Sequence, residues 1–149
     1  MTERSGFTLV EMLVVLVILC VLAAQAVPSL HSFVVRTRRT EAQAVMLLLM
    51  QQQERFYSQH NRYSAFSSGS TDPEEKQFQW WSGVRAASSA YEIEGKACDG
   101  ETIEQCVRLI AMPGTGQVDP QYKDEECGQL SLTSSGLRLA TGASLRCWP

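Results

Sequence analysis

The sequence has few of the residues from which active sites are usually built. Only two histidines occur, His31 and His60, and the serines are concentrated in polar stretches. A glycine-rich phosphate loop and a nucleophile elbow are both missing, so no acid, base and nucleophile set can be recognised. These absences predict a protein that is not an enzyme and uses no cofactor.

A strong net charge and the usual spacing of metal ligands are also missing. A formal charge of −3 is too small for bulk electrostatics to attract nucleic acid. No Cys-x-x-Cys pair occurs, and both histidines lie far in sequence from the four downstream cysteines, which argues against zinc. One acidic loop lacks the ligand spacing of a calcium site. Its carboxylates are Asp119, Asp124, Glu125 and Glu126. We therefore predict no metal.

What the sequence does have is an apolar segment of membrane length near its start. Every side chain from Met12 to Ala24 is apolar or cysteine. As one helix, residues 7–27 would extend about 31 Å, which is close to the hydrocarbon thickness of a bilayer. The segment can therefore span a membrane, and the simplest role for Cys20 is apolar packing within it.

Glu11 places a carboxylate at the beginning of this apolar segment. An unpaired acidic side chain is costly inside a bilayer, although less so toward the end of a helix than at its centre. Cleavage of the chain after Gly6 would give Phe7 a cationic amine one helical turn from Glu11. The amine and the carboxylate could then pair within one chain or between neighbouring chains.

The string Ser-Gly-Phe-Thr-Leu-Val-Glu-Met-Leu at residues 5–13, followed by the apolar segment and Pro28, resembles the class III signal of type IV prepilins and type II secretion pseudopilins. The resemblance implies that a membrane-embedded prepilin peptidase cuts between Gly6 and Phe7 and that Phe7 is N-methylated. It also implies that Glu11 recruits the Phe7 amine of an adjacent subunit during filament growth.

Two other interpretations of the N-terminus compete with this one. The first is a secretory signal with Arg4 before the apolar region and a small-residue cleavage site at residues 24–26. Glu11 argues against it, because an acidic residue would interrupt the start of the apolar region. The second is a plain transmembrane anchor that carries a globular domain.

The four downstream cysteines are an even number suited to two disulfides in an oxidising compartment. Of the three possible pairings we predict Cys98–Cys106 and Cys127–Cys147, because each closes a local segment and no loops cross. This part of the chain is therefore expected to be extracytoplasmic.

Hydrophobic periodicity predicts one long helix from Phe7 to about Asn61. Pro28 should kink it, since proline removes one donor and crowds the preceding turn. Beyond the kink an apolar stripe recurs at intervals of three and four residues and should pack on a sheet. Its members are Ala42, Val45, Leu49, Gln52 and Phe56, with Leu48 beside them.

Four later segments alternate apolar with polar residues, the pattern of half-buried antiparallel strands in one sheet. They are Tyr91–Glu94, Val107–Ala111, Leu130–Thr133 and Leu137–Leu139. Residues 64–75 and 114–126 are rich in turn formers and are predicted to be loops, and residues 134–136 a tight hairpin turn.

This layout resembles the α+β type IV pilin fold, in which a long bent N-terminal helix packs on a four-stranded antiparallel sheet with a disulfide-closed C-terminal loop. The strings at residues 39–44, 53–59 and 127–133 resemble the PilE-type minor pilins of type IVa pili, a group similar to the ComP minor pilins of DNA uptake. The implied segments are a cleaved leader at 1–6, a membrane and filament-core helix at 7–27, and a globular domain at 28–149.

The resemblance also implies where the protein works. The precursor is expected in the inner membrane as a single-pass protein with its bulk in the periplasm. After processing it would join other pilin subunits in an extracellular filament or its initiating tip complex. The alternatives are a type II secretion pseudopilin and a DNA-binding minor pilin.

Two further surfaces are candidates for function. Arg36, Arg38 and Arg39 form a basic cluster, which we interpret as an exposed face near anionic headgroups before assembly. Phosphate or DNA binding is the second interpretation, with Arg55, Arg62 and Arg85 as extensions, although the spacing offers no base-reading motif. Trp80 and Trp81 are predicted to pack in the core, with one exposed indole at an interface as the alternative.

Overall fold

The structure, a computed structural model, describes residues 8–149, apart from the side chains of residues 26–29. Its first helix, α1, spans Leu9–His60. The chain divides into two compact units with the boundary after Arg36, so that α1 contributes to both. The first and the second unit are described separately below.

In the first unit, the described side chains of α1 are almost all exposed. The apolar residues from Leu9 to Leu22 range from 49% to 80% exposed. By length and composition this stretch is apolar enough to cross a membrane, and none of it is buried within the chain. The helix continues through Pro28. The predicted kink at Pro28 stays a prediction.

In the second unit α1 buries one face, and the apolar stripe is only partly the predicted one. Ala42, Leu49 and Phe56 are buried as expected. The positions between them are Met46 and Gln53, both fully buried, whereas Leu48 is 64% exposed. The prediction is confirmed in part for Val45, which is partly buried and packs against the core. It was wrong in giving Gln52 rather than Gln53 as the buried glutamine and in placing Leu48 beside the stripe, because spacings of three-then-four and four-then-three fit the same seven-residue repeat. Packing against the sheet selects the second phase.

The four predicted strands are confirmed and form one antiparallel sheet in the order β1-β2-β3-β4. They are β1 at Tyr91–Ala97, β2 at Val107–Pro113, β3 at Leu130–Thr133 and β4 at Arg138–Ala140. In the register, Ile93 faces Ala111, Leu109 faces Leu132, and Ser131 faces Leu139. Gly136, with φ of 86°, makes the predicted turn between β3 and β4.

The segment between α1 and β1 is more ordered than the predicted loop. A short helix, α2, spans Pro73–Lys76 and is capped by Asp72, whose carboxylate accepts the Glu74 N–H at 2.7 Å. Phe66 forms an isolated bridge with Gly95 on β1. A Cβ on Gly95 would lie 2.5 Å from the Phe66 ring, so the absence of a side chain lets the aromatic ring lie on the strand.

One core joins this half of α1 to the sheet. Tyr91, Ile93, Val107, Leu109 and Leu130 are fully buried and cluster with the buried face of α1. The Cys127–Cys147 disulfide belongs to this core, and Cys106 of the other disulfide is buried as well. Their Cα–Cα distances are 5.4 Å for Cys98–Cys106 and 5.5 Å for Cys127–Cys147, the same two pairs that the local-segment argument selects.

Candidate functional site

The start of α1 is held by a reciprocal cap between Thr8 and Glu11. The Thr8 backbone N–H donates to Glu11 Oε2 at 2.8 Å, and the Thr8 hydroxyl donates to the same oxygen at 2.9 Å. The Glu11 backbone N–H in turn donates to Thr8 Oγ1 at 3.3 Å. This is the arrangement of a capping box, in which the side chains at the first positions of a helix satisfy donors that have no helical partner.

The Thr8 cap gives the Glu11 carboxylate hydrogen-bond donors from its own chain. The sequence alone treats it as a carboxylate without a partner, but Thr8 supplies two hydrogen bonds from within the chain. Both donors are neutral, so they solvate the negative charge without cancelling it. Gly6 and Phe7 lie outside the described residues, so the cleavage site, the methylation of Phe7 and its pairing with Glu11 stay predictions.

Arg39 does not belong to the exposed basic cluster in which the sequence analysis placed it. It is 5% exposed, and its guanidinium binds both oxygens of Asp124, at 2.7 Å from Nε and 2.8 Å from Nη2. Nη2 also donates to Glu126 at 2.9 Å. Arg39 lies three residues before Ala42 and so continues the buried stripe of α1. Its side chain therefore carries a structural ion pair.

The Asp124 carboxylate accepts hydrogen bonds from two other parts of the fold. The Tyr91 hydroxyl donates to Asp124 Oδ2, and the Cys127 backbone N–H donates to Oδ1 at 3.0 Å. Burial raises the pKa of Asp124, but hydrogen bonds from Arg39, Tyr91 and the Cys127 amide outweigh it and hold the pKa below its ordinary value. We call Arg39, Asp124, Glu126 and Tyr91 the Arg39 clamp. It fixes α1 to the strand β1 and to the loop that carries the Cys127–Cys147 disulfide.

The remaining basic residues are exposed to different degrees. Arg36 and Arg38 have exposed side chains, and Arg38 forms an ion pair of 3.3 Å with Glu41. Arg62 is paired with Glu74. Arg55 and Arg85 are exposed as well. The proposed phosphate surface thus loses Arg39, and two of its other members already have a carboxylate beside them.

The two adjacent tryptophans are half-buried rather than fully in the core. Trp80 packs against the core cluster, and its ring meets that of Trp81 edge to face at a centroid distance of 5.1 Å. The prediction of core packing is therefore confirmed in part for Trp80. Each indole also keeps some exposed surface.

Gln53 is another buried polar residue of α1 whose contact the sequence did not reveal. The Gln53 amide donates to the Ser64 carbonyl at 2.7 Å and accepts the Ser64 N–H at 2.9 Å. It thereby satisfies the backbone where the chain leaves α1. A glutamine in phase with Ala42, Met46 and Phe56 was the available signal, but only after the correct helical phase was known.

Known proteins match the two parts of the chain separately. Residues 1–24 match the model of the prokaryotic N-terminal methylation motif. This motif includes the start of α1, and together with the packing of α1 on a four-stranded antiparallel sheet it is typical of type IV pilins, a class of structural proteins. Residues 28–131 match the model described as type IV minor pilin ComP, DNA uptake sequence receptor. The chain belongs to this ComP family of type IV minor pilins.

Three individual proteins are similar to parts of this chain. The type IV major pilin protein PilA of Myxococcus xanthus is 33% identical over 95 residues, which are 64% of this chain and 43% of that protein. The chain thus spans less than half the length of that relative. A type IV pilin from Shewanella oneidensis has a TM-score of 0.46 and 26% identity over 77% of this chain and 98% of its own. The Neisseria meningitidis non-core minor pilin PilV has a TM-score of 0.48 and 18% identity, over 76% of this chain and 93% of its own.

Proposed function

We propose that this pilin is made as an inner-membrane precursor, cut between Gly6 and Phe7 by a prepilin peptidase, methylated at Phe7, and packed through α1 into a filament or its initiating tip complex as a minor subunit. Two observations support the proposal. One is the methylation motif at residues 1–24, and the other is the exposed apolar first part of α1.

The exposed apolar half of α1 requires a cover. Inside a bilayer, lipid chains surround these side chains, and bringing such helices together gains packing rather than hydrophobic free energy. Outside the bilayer the same side chains would face water, which is unfavourable in proportion to their apolar area. A filament that leaves the membrane must therefore surround residues 9–25 with equivalent helices of other subunits.

Glu11 gives this packing its register. In the precursor the Thr8 cap solvates the carboxylate but leaves its charge. In a bundle of apolar helices a charge is tolerated when a cation neutralises it. The amine that cleavage creates on Phe7 is such a cation, and a neighbouring subunit can present it at one axial position only. Processing thus converts Glu11 from an obstacle into an assembly contact.

The test compares charge with size at Glu11. Glu11→Gln keeps the length and a hydrogen-bond acceptor but removes the charge. We expect the leader to be removed normally, as measured by intact mass. We also expect at least about tenfold less subunit in sheared filaments, since a loss of about 1.4 kcal/mol in contact free energy lowers an equilibrium constant tenfold. Glu125→Gln makes the same chemical change at an exposed loop position and should assemble normally.

The processing step is tested separately at Gly6. Gly6→Leu should leave the six-residue leader attached, seen as a heavier intact mass. Normal incorporation of Glu11→Gln would contradict the assembly role of Glu11. A mature chain of Gly6→Leu that begins at Phe7 would contradict the need for Gly6 in cleavage, and a wild-type mature chain that begins elsewhere would contradict the cleavage site itself. A mature chain beginning near residue 27 would instead support a secretory signal.

A second candidate function is DNA reception during uptake, which the name of the matching family favours. The exposed cations available for it in the second unit include Arg55 and Arg85. Binding to phosphates would weaken steeply with salt, because it releases counterions from the DNA. The test is fluorescence anisotropy of a labelled short duplex with the full chain in detergent micelles, at low and at physiological salt.

The variants separate binding cations from structural ones. Arg55→Gln and Arg85→Gln should each weaken binding and reduce its salt dependence. Arg62→Gln is the matched control, because its charge is already balanced by Glu74. Absence of binding at low salt would contradict the DNA hypothesis and would not affect the filament proposal.

A further inference from the structure

A cavity of about 360 Å³ lies beside the two tryptophans in the second unit. Its wall includes the serine turn at residues 67–70 and the chain from Lys76 to Trp81, which leads from α2 toward β1. The volume falls within the range of small-molecule sites. Neither the filament proposal nor the DNA hypothesis uses this cavity.

The aromatic wall of the cavity is held in place by β1. The Trp80 carbonyl accepts the Ile93 N–H at 2.7 Å, and Trp81 forms an isolated bridge with Glu92. The edge-to-face contact between the indoles lets each restrict the rotation of the other. The aromatic surface is therefore in position before any ligand arrives, which lowers the entropy cost of binding.

The polar groups of the wall are mostly neutral amides and hydroxyls. The Gln79 amide nitrogen donates to the Trp81 carbonyl at 2.6 Å, and the Gln77 amide nitrogen donates to the Glu74 carbonyl at 2.7 Å. Within the described chain neither amide oxygen accepts a hydrogen bond, so both can accept from a hydroxyl. Ser70 Oγ accepts the Ser67 N–H at 2.9 Å and keeps its own hydrogen to donate.

The charge of the cavity separates two classes of ligand. Lys76 is the one charged residue of the described wall. Nucleic acid needs several cations along its phosphates, and one lysine does not provide them. A sugar instead places its polarised C–H groups on the negative face of an aromatic ring and its hydroxyls against amides and hydroxyls. We propose that this cavity, walled by Trp81, Gln77, Gln79 and Ser70, binds a neutral hexose unit of a glycan.

The experiment uses the full chain in a detergent without a sugar headgroup, with glucose, galactose, mannose and N-acetylglucosamine as probes. Saturation-transfer NMR should show magnetisation passing from the protein to the ring protons of at least one of them. Trp81→Ala should weaken that sugar at least tenfold, and Gln79→Ala severalfold. Trp148→Phe is the matched control, since this third indole donates to the Leu139 carbonyl and is absent from the cavity wall.

Two more variants keep the proposal falsifiable if Trp81→Ala fails to fold. Trp81→Phe retains an aromatic ring and should bind severalfold more weakly with an unchanged circular dichroism spectrum. Lys76→Gln should leave the binding of a neutral sugar unchanged. The proposal is overturned if none of the four sugars binds at millimolar concentration, or if Trp81→Phe and Gln79→Ala bind as the wild type does. Salt-dependent binding of an oligonucleotide that competes with the sugar and depends on Lys76 would also overturn it.

Discussion

Residues 9–25 and residues 37–56 belong to the same helix, yet their side chains meet opposite surroundings. The first stretch exposes apolar side chains on every side and buries none. The second buries one narrow face, and that face includes the charged Arg39 and the polar Gln53. Apolar character alone therefore does not decide burial in this chain. The first stretch needs partners from outside, whereas the second finds its partners in the sheet and in the loop before Cys127.

The largest effect is expected at the Arg39 clamp, which holds the buried face of residues 37–56. Arg39→Ala leaves Asp124 buried without its guanidinium partner, and removing one member of a buried ion pair usually costs about 3–5 kcal/mol. We expect that loss in denaturant unfolding of the full chain in micelles, followed by tryptophan fluorescence, because all three tryptophans lie in the second unit.

Arg38→Ala is the control for the clamp, one residue away on the same helix. Its ion pair with Glu41 is partly exposed, with side chains 45% and 35% exposed, so the cost should be roughly 0–1 kcal/mol. Equal losses for Arg38→Ala and Arg39→Ala would contradict the separation of a buried from an exposed arginine. Membrane insertion of the first unit should be the same in both variants.

The next effect is a dependence of stability on pH. The pKa of Asp124 in the folded protein lies below its ordinary value of 3.8. The stability that Asp124 contributes is therefore fully present above about pH 4 to 5 and is lost as the pH falls through the lower, folded value. We expect the unfolding midpoint of the wild type to drop in this acidic window.

Asp124→Asn tests the source of that drop. The variant should be less stable at neutral pH and should lose less on acidification, because the group whose protonation breaks the clamp is gone. Asp99→Asn is the matched control, since the Asp99 side chain is 81% exposed, although its partner Arg108 is only 19% exposed. A wild-type profile and an Asp124→Asn profile of equal slope would assign the acid sensitivity to other carboxylates.

The comparison also explains what could be predicted from the sequence. The strands and the turn at Gly136 follow from local alternation and from a turn residue, both readable without tertiary structure. The phase of the α1 stripe does not, because Val45 and Met46 fit the spacing equally well. Once that phase was misplaced, Arg39 fell on the exposed face and Gln53 was overlooked. Asp124 is eighty-five residues away from Arg39, and no local pattern joins them.

The cavity beside Trp80 and Trp81 could not be predicted from the sequence for a different reason. The sequence shows two adjacent indoles, and their alternation in a strand would place one on each side. The structure instead keeps them outside the regular strands and edge to face, with the serine turn opposite. That arrangement depends on the bridge from Trp81 to Glu92 and on the close approach of Phe66 to Gly95, contacts between segments distant in sequence.

The smallest effect concerns the other end of the helix, at the Thr8 cap. Thr8→Val keeps the shape of the side chain and removes its hydroxyl, while the backbone N–H still donates to Glu11. Loss of a threonine cap destabilises a helix start by about 0.5–2 kcal/mol. We expect normal leader removal and a two- to threefold lower yield in sheared filaments. Thr8→Ser should restore the wild-type yield, because serine supplies the same donor and acceptor. If Thr8→Val lowered the yield as much as Glu11→Gln, the carboxylate would act mainly through the cap, and its charge would not be the assembly contact.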